Sequence, residues 1–136
     1  MKKLSGRVIQ MKMLDTNMII RYLIRDNEDM AEQVKHILKT EEVLVLPEVI
    51  AEVIYVMIKV YEYDRIIVAD TLLRFVNLSA VVLDKHEVVK AGLKFFRDTS
   101  LDFVDCLLCA YHTEQGYEIC TFDKKLNKLI EKNDKI

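Results

Sequence analysis

"MLDTNMIIRYLIR", residues 13–25, puts a carboxylate, Asp15, where one apolar run ends and an amphipathic run begins. Upstream, "RVIQMKML" (7–14) reads as a strand. Downstream, "NMIIRYLIR" (17–25) has apolar residues at helical spacing. A strand that hands over directly to a helix opens a β-α-β unit, so this stretch predicts an α/β chain. Asp15 then has two readings. It caps the helix through its side chain, or it is one corner of an acidic site whose other corners lie far along the chain.

The same alternation recurs outward from this point. "EDMAEQVKHILKT" (28–40) sets Met30, Val34, Ile37 and Leu38 on one helical face. "EVLVL" (42–46) is a short continuous apolar run, the mark of a strand buried on both faces. Pro47 suits the first position of a helix running to about Tyr61. Asp64 is placed to cap "RIIVADTLLRFV" (65–76), and "AVVL" (80–83) reads as a third strand. "KHEVVKAGLKFFRD" (85–98) is amphipathic, and "DFVDCLLCAYHTEQG" (102–116) is a helix stopped by Gly116. "YEICTF" (117–122) completes a set of four strands, and "KKLNKLIEK" (124–132) is the last helix. Strands that alternate with helices imply right-handed crossovers and a parallel sheet covered by helices on both faces.

Length and composition bound the rest. At 136 residues the chain is expected to be one domain, residues 1–136, with residues 1–6 ragged and Met1, Met11 or Met13 as the start. Apolar residues make up 51% and charged residues 31%, a globular composition. Acids outnumber bases 22 to 20, which argues against a broadly basic coat but leaves room for a local basic rim. The most apolar segment, "VIAEVIYVMIKV" (49–60), is too short to span a bilayer and carries Glu52 and Lys59. "LSGRVIQMK" after the first lysines lacks the apolar core of a signal peptide, so a cytoplasmic location without membrane attachment is expected.

Three cysteines, an odd number, point to reduced thiols. Cys106, Cys109 and His112 share one helix, and a tetrahedral zinc site would need a distant fourth ligand. Buried core thiols are the simpler reading. Only three glycines are present, so neither a dinucleotide fingerprint nor a Walker loop can be written, and no nucleophile elbow exists.

In a parallel sheet, ligands bind at the carboxyl ends of the strands, and acids collect there. Asp15 follows the first strand and Asp123 the fourth. Glu52 lies in the second turn after the second strand, and Asp102 and Asp105 open the helix before the fourth. Each has an ordinary explanation: Asp15 as a cap, Asp102 as a capping pair with Thr99. Glu52 and Asp105 sit among apolar neighbours with no solvated face visible in the sequence, where a carboxylate is costly unless neutralised. Converging carboxylates without a paired arginine repel one another, and a hard divalent cation, Mg²⁺ or Mn²⁺, relieves that. Metal-assisted hydrolysis of a phosphodiester is the chemistry the residues support.

"MLDTNMIIRYL", "PEVIAEVIYVM" and "DFVDCLLCAYHTEQGYEICTFDKKLNKL" together resemble the PIN domain, and in size and spacing the VapC-type toxins of toxin–antitoxin pairs, over about residues 12–130. The specific motifs are D-T-N before an apolar helix and the D-C-L helix followed by T-F-D. The glutamate motif between them is weak alone. The resemblance implies a PIN-like three-layer α/β/α fold with a central, mainly parallel sheet of four to five strands. It implies an acidic quartet of Asp15, Glu52, Asp105 and Asp123 as catalytic residues and metal ligands, with Asp102 accessory. Asn17 and Thr121 would orient that quartet, and Arg21, Arg25, Lys124, Lys125 and Lys128 are candidate phosphate contacts. The implied activity is a Mg²⁺- or Mn²⁺-dependent endoribonuclease acting on RNA, with a homodimer and a small antitoxin as partners.

Two rival enzymes and one non-enzyme share the layout. A haloacid-dehalogenase-type phosphatase needs a second acid two residues after the first, where this chain has Asn17. A phospho-receiver needs an adjacent acidic pair, which "LDTN" lacks. An RNA-binding or interaction module of PIN shape without activity is the third, and the intact acidic set argues against it. The apolar helices "VIYVMIKVY" and "RIIVADTLLRFV" offer more surface than a small sheet covers, and a two-fold dimer through them is expected.

Overall fold

The computed structural model describes residues 2–4 and 7–135, with side chains described from Gln10 onward. The expected raggedness of residues 1–6 falls in part on Met1, Ser5 and Gly6, which lie outside the described residues. β1 (Lys2–Leu4) and β2 (Arg7–Ile9) pair antiparallel, Lys2 opposite Ile9. The sheet that positions the site follows. β3 (Lys12–Met13), β4 (Val43–Leu44) and β5 (Val81–Val82) run parallel in the order β3-β4-β5, with Lys12, Val43 and Val81 in register. Val43 and Val45 have no exposed surface, as the continuous apolar run required of a central strand.

Among the described residues seven helices connect and cover these strands: α1 (Thr16–Ile24), α2 (Glu28–Thr40), α3 (Pro47–Lys59), α4 (Arg65–Val76), α5 (His86–Asp98), α6 (Phe103–Gln115) and α7 (Lys124–Asp134). Pro47 and Gly116 bound their helices as expected, whereas Asp64 stands at the N-cap of α4 with no side-chain cap bond. Asn27 caps α2 by accepting from the Met30 amide at 3.0 Å, Pro47 opens α3, and Gly116 closes α6 at φ 76°. Ile19, Val34, Ile50, Leu72, Phe75 and Leu93, one or more from each of α1 to α5, meet in the core between them. α5 and α6 approach closely at Gly92, where a methyl would lie 2.9 Å from Leu107 Cδ2.

Two sequence expectations change. "RVIQMKML" is not one strand: its first half joins the β1–β2 ribbon and only Lys12–Met13 enters the sheet. The parallel sheet has three strands among the described residues, where four to five were expected, because 117–122 forms no ladder. The physical reason lies in its backbone acceptors. The Tyr117 carbonyl faces His112 Nδ1 at 2.7 Å, and the Thr121 carbonyl accepts from the Asn127 amide at 3.1 Å. Side chains thus take the groups a neighbouring strand would have used, and Phe122 stands fully exposed.

Cys106 and Cys109 are free and buried in α6, where burial pushes both thiols up to about 11, while Cys120 is exposed. Core thiols is therefore the right description of that pair. Among the described residues no helix is long and apolar enough to cross a membrane.

Candidate active site

Asp15 stands directly after β3 and is the N-cap of α1, its Oδ1 accepting from the Met18 amide at 2.9 Å. One oxygen serves the cap. The other has no hydrogen bond among the described residues and is open to solvent. Beside it, a cavity of about 460 Å³ between α1 and α3 is lined by Asp15, Asn17, Glu52 and Tyr61, among others. Two of the four predicted acids and one of the predicted polar supports therefore share one cavity.

Glu52 corrects the sequence reading. It is exposed, on a solvated stripe of α3 made by Glu48, Glu52, Tyr55 and Lys59. The apolar neighbours that hid this stripe lie on the opposite face, where Ile50, Val53, Ile54 and Met57 are buried. No desolvation argument is needed to explain it; what marks Glu52 is its place across the cavity from Asp15.

Asp105, in the first turn of α6, is half-buried. Burial first, and then the charges of Asp123 and Asp102, push its carboxyl above the usual carboxylate range. A helix N-terminus favours an anion, and the upward shift means that burial and repulsion outweigh that help here. The segment ahead of α6 is fixed by Arg65 at the start of α4. Its guanidinium lies 3.7 Å from the Phe96 ring centroid, donates to the Phe96 carbonyl at 2.7 Å, and also donates to the Leu101 carbonyl. Burial holds Arg65 below its ordinary value. The expected Thr99–Asp102 capping pair does not form. The Thr99 hydroxyl donates to the Phe95 carbonyl at 2.7 Å and accepts from the Leu101 amide, and Asp102 makes no side-chain cap bond.

Asp123 caps α7, its Oδ1 accepting from the Lys125 and Leu126 amides at 2.8 and 3.1 Å. Its own amide donates to the Thr121 hydroxyl at 3.0 Å, a contact to the Asp123 backbone and not to its carboxylate. Asp15 and Glu52 thus line one cavity, while Asp105 feels the charges of Asp123 and Asp102. Among the described residues no three His, Cys, Asp or Glu side chains stand close enough to share a metal ion. None of the four acids has a cationic partner among the described residues. Their donor chemistry, carboxylate oxygens with an amide at hand, fits a hard divalent cation.

The basic candidates divide. Arg21 donates to Asp26 at 2.6 Å, and Arg25 pairs with Glu28 and Glu32 at 2.9 and 2.7 Å, so neither offers an unmatched charge. Lys124, Lys125 and Lys128 are exposed and unpaired among the described residues. The sequence reading missed two residues. Tyr61 reaches the Asp15 cavity and donates to Asp26 at 3.2 Å, and Arg65 anchors the approach to Asp105. Their signal was faint: both flank the α3–α4 turn, where Glu62 adopts φ 58°.

The family model of the PIN domain matches residues 12–132. No curated protein and no solved structure matches the chain.

The raised Asp105 carboxyl carries a pH signature. An acid whose folded pKa lies above its unfolded value holds its proton more tightly in the fold. The stability it lends is therefore complete while it is protonated and is lost as pH rises through the raised folded value. Asp105→Asn removes that loss. Thermal melts in EDTA should show the variant above the parent near pH 7 and the difference closing toward about pH 4. A variant that melts no higher than the parent at pH 7 contradicts the repulsion.

Proposed function

We propose that this chain, which belongs to the PIN-domain family, is a divalent-metal-dependent endoribonuclease and the toxin of a toxin–antitoxin pair. PIN domains are generally metal-dependent nucleases and typically use cations such as Mg²⁺. The observation that carries the reading is the set of four unpaired acids: Asp15 and Glu52 on one cavity, and Asp105 with its proton affinity raised beside Asp123.

Asp15, Glu52, Asp105 and Asp123 would hold Mg²⁺ or Mn²⁺, with Asn17 and Thr121 orienting the aspartates. When bound, the cation supplies Lewis-acid polarisation of a phosphoryl oxygen and a lowered pKa for water. The chain's own residues do the rest. Asp15 and Asp123 each keep one oxygen in a helix cap, which leaves the other oxygen free of a cap bond. Asp105 is the acid best suited to take up a proton, because its charged form is the one the site disfavours.

For the two pairs to act together, Asp123 has to approach Asp15. β3 is an edge strand with one side free, and "YEICTF" has strand-like composition. Added to that edge in parallel once His112 and Asn127 release the Tyr117 and Thr121 carbonyls, 117–122 would become the fourth strand and deliver Asp123 to the same end of the sheet as Asp15.

Partners follow the same reading. Tyr55 and Val60 on α3, and Ile66 and Ile67 after it on α4, are all more than half exposed, and we assign them to a two-fold homodimer interface. Light scattering at micromolar concentration should give twice 15.9 kDa; a monomer mass contradicts the assignment. The second partner is a small antitoxin whose tail enters the acidic groove, and a short reading frame for a DNA-binding protein beside the gene would support it. A cytoplasmic location belongs to the same reading.

The direct test is RNA incubated with Mg²⁺ and with EDTA, alongside p-nitrophenyl phosphate. Internal cleavage of RNA only with the metal, and an untouched phosphate ester, are expected. Asp15→Asn and Asp123→Asn keep the caps, since asparagine caps nearly as well as aspartate. Both should lose cleavage by orders of magnitude while their melting points hold or rise. Cleavage unchanged in both variants leaves the two residues as helix caps and overturns the assignment.

A further inference from the structure

α7 carries five lysines, Lys124, Lys125, Lys128, Lys132 and Lys135, counting its C-cap, and all five are exposed. At about 100° of rotation per residue they fall within an arc of about 100° on one side of the helix. Leu126, fully buried, and Leu129 lie on the other side, against the protein. The acids of α7 are kept off this arc: Asp134 is turned toward His112, and Glu131 stands at its margin.

None of the five lysines has an ion-pair partner among the described residues, unlike Lys12, Arg21, Arg25 and Arg97. In a chain of net charge −2 this segregation is local, with Glu131 the one acid of α7 at its edge. The helix that bears it is held at both ends. Asp123 caps its start, and His112 Nε2 meets Asp134 Oδ1 at 2.6 Å near its finish while Nδ1 faces the Tyr117 carbonyl at 2.7 Å. Both ring nitrogens face acceptors, and these contacts, the carboxylate first, push His112 up.

We propose that the lysine face of α7 is a track for the sugar–phosphate backbone of single-stranded RNA, leading from Asp123 away from the acidic site. The proposal rests on the nuclease reading for its choice of ligand. The track starts at the candidate acids, since Lys124 adjoins Asp123. It runs about 16 Å at 1.5 Å per residue, room for no more than about five phosphates at the spacing of a stacked strand. Lysine heads on flexible stems give point-charge contacts without base readout, so the track sets affinity and direction while leaving sequence choice to the site itself.

The test is binding without cleavage. Fluorescence anisotropy of a labelled 12-nucleotide RNA is followed in EDTA across a range of salt, for the full chain and for Lys128→Gln/Lys132→Gln. A control pair, Lys35→Gln/Lys39→Gln on α2, removes the same charge elsewhere. The α7 pair should weaken binding on the order of tenfold and flatten the salt slope by about 1.4, at roughly 0.7 for each phosphate no longer neutralised. Lys128→Arg/Lys132→Arg should restore both, and the control pair should move neither. Equal losses from both glutamine pairs, or an unchanged slope, overturn the track. So does a chain that ignores RNA but binds a polyglutamate peptide through the same lysines, which would make the face a protein-docking surface. The two readings fail separately. A protein that cleaves RNA with Mg²⁺ yet shows no dependence on these lysines loses only the track. One that binds RNA through them but cleaves with no divalent ion loses only the nuclease.

Discussion

The Leu14 amide donates to the Leu44 carbonyl at 3.2 Å and the Val45 amide to the Val82 carbonyl at 3.0 Å, and these bonds hold three short strands parallel. Parallel pairing forces a crossover after each strand, and every crossover begins at the same edge of the sheet. Asp15 leaves β3 at that edge, and Pro47 opens α3 just beyond β4 at the same edge. Glu52, one turn further along α3, then faces Asp15 across a cavity with no contact designed for the purpose. The acids owe their meeting to the topology.

Electrostatics decides what such a meeting can be used for. Several acids elsewhere on the chain are matched: Asp26 by Arg21, Glu28 and Glu32 by Arg25, Asp70 and Asp98 by Arg97. The four site acids are not, and Asp105 bears the cost as a carboxyl that holds its proton too well. Unmatched carboxylates suit a hard cation, and the two caps hold Asp15 and Asp123 in place.

Most of the helices were legible, because their apolar spacing, Pro47 and Gly116 all agree with the packing that results. Asp15 and Asp123 were legible as strand-end acids, and the structure adds that each is also a cap. Glu52 was found for the wrong reason. Tyr55 counts as apolar in a sequence but stands exposed, so a solvated stripe through Glu48, Glu52 and Lys59 looked like continuous core. The strand at 117–122 was read from composition, and composition cannot foresee that His112 and Asn127 occupy two of its carbonyls. Arg21 and Arg25 looked available because their partners, Asp26, Glu28 and Glu32, follow just after them in sequence, where the helix-ending turn at Arg25 brings them back.

The central claim is that the two carboxylate pairs act as one cation site. A double-mutant cycle on Mn²⁺ affinity tests it directly, with Glu52→Gln from one pair and Asp105→Asn from the other, measured by calorimetry. If one ion bridges the pairs, the losses are non-additive, with a coupling above about 0.5 kcal/mol. Losses that add within about 0.5 kcal/mol, or a parent protein that binds no Mn²⁺, contradict the account.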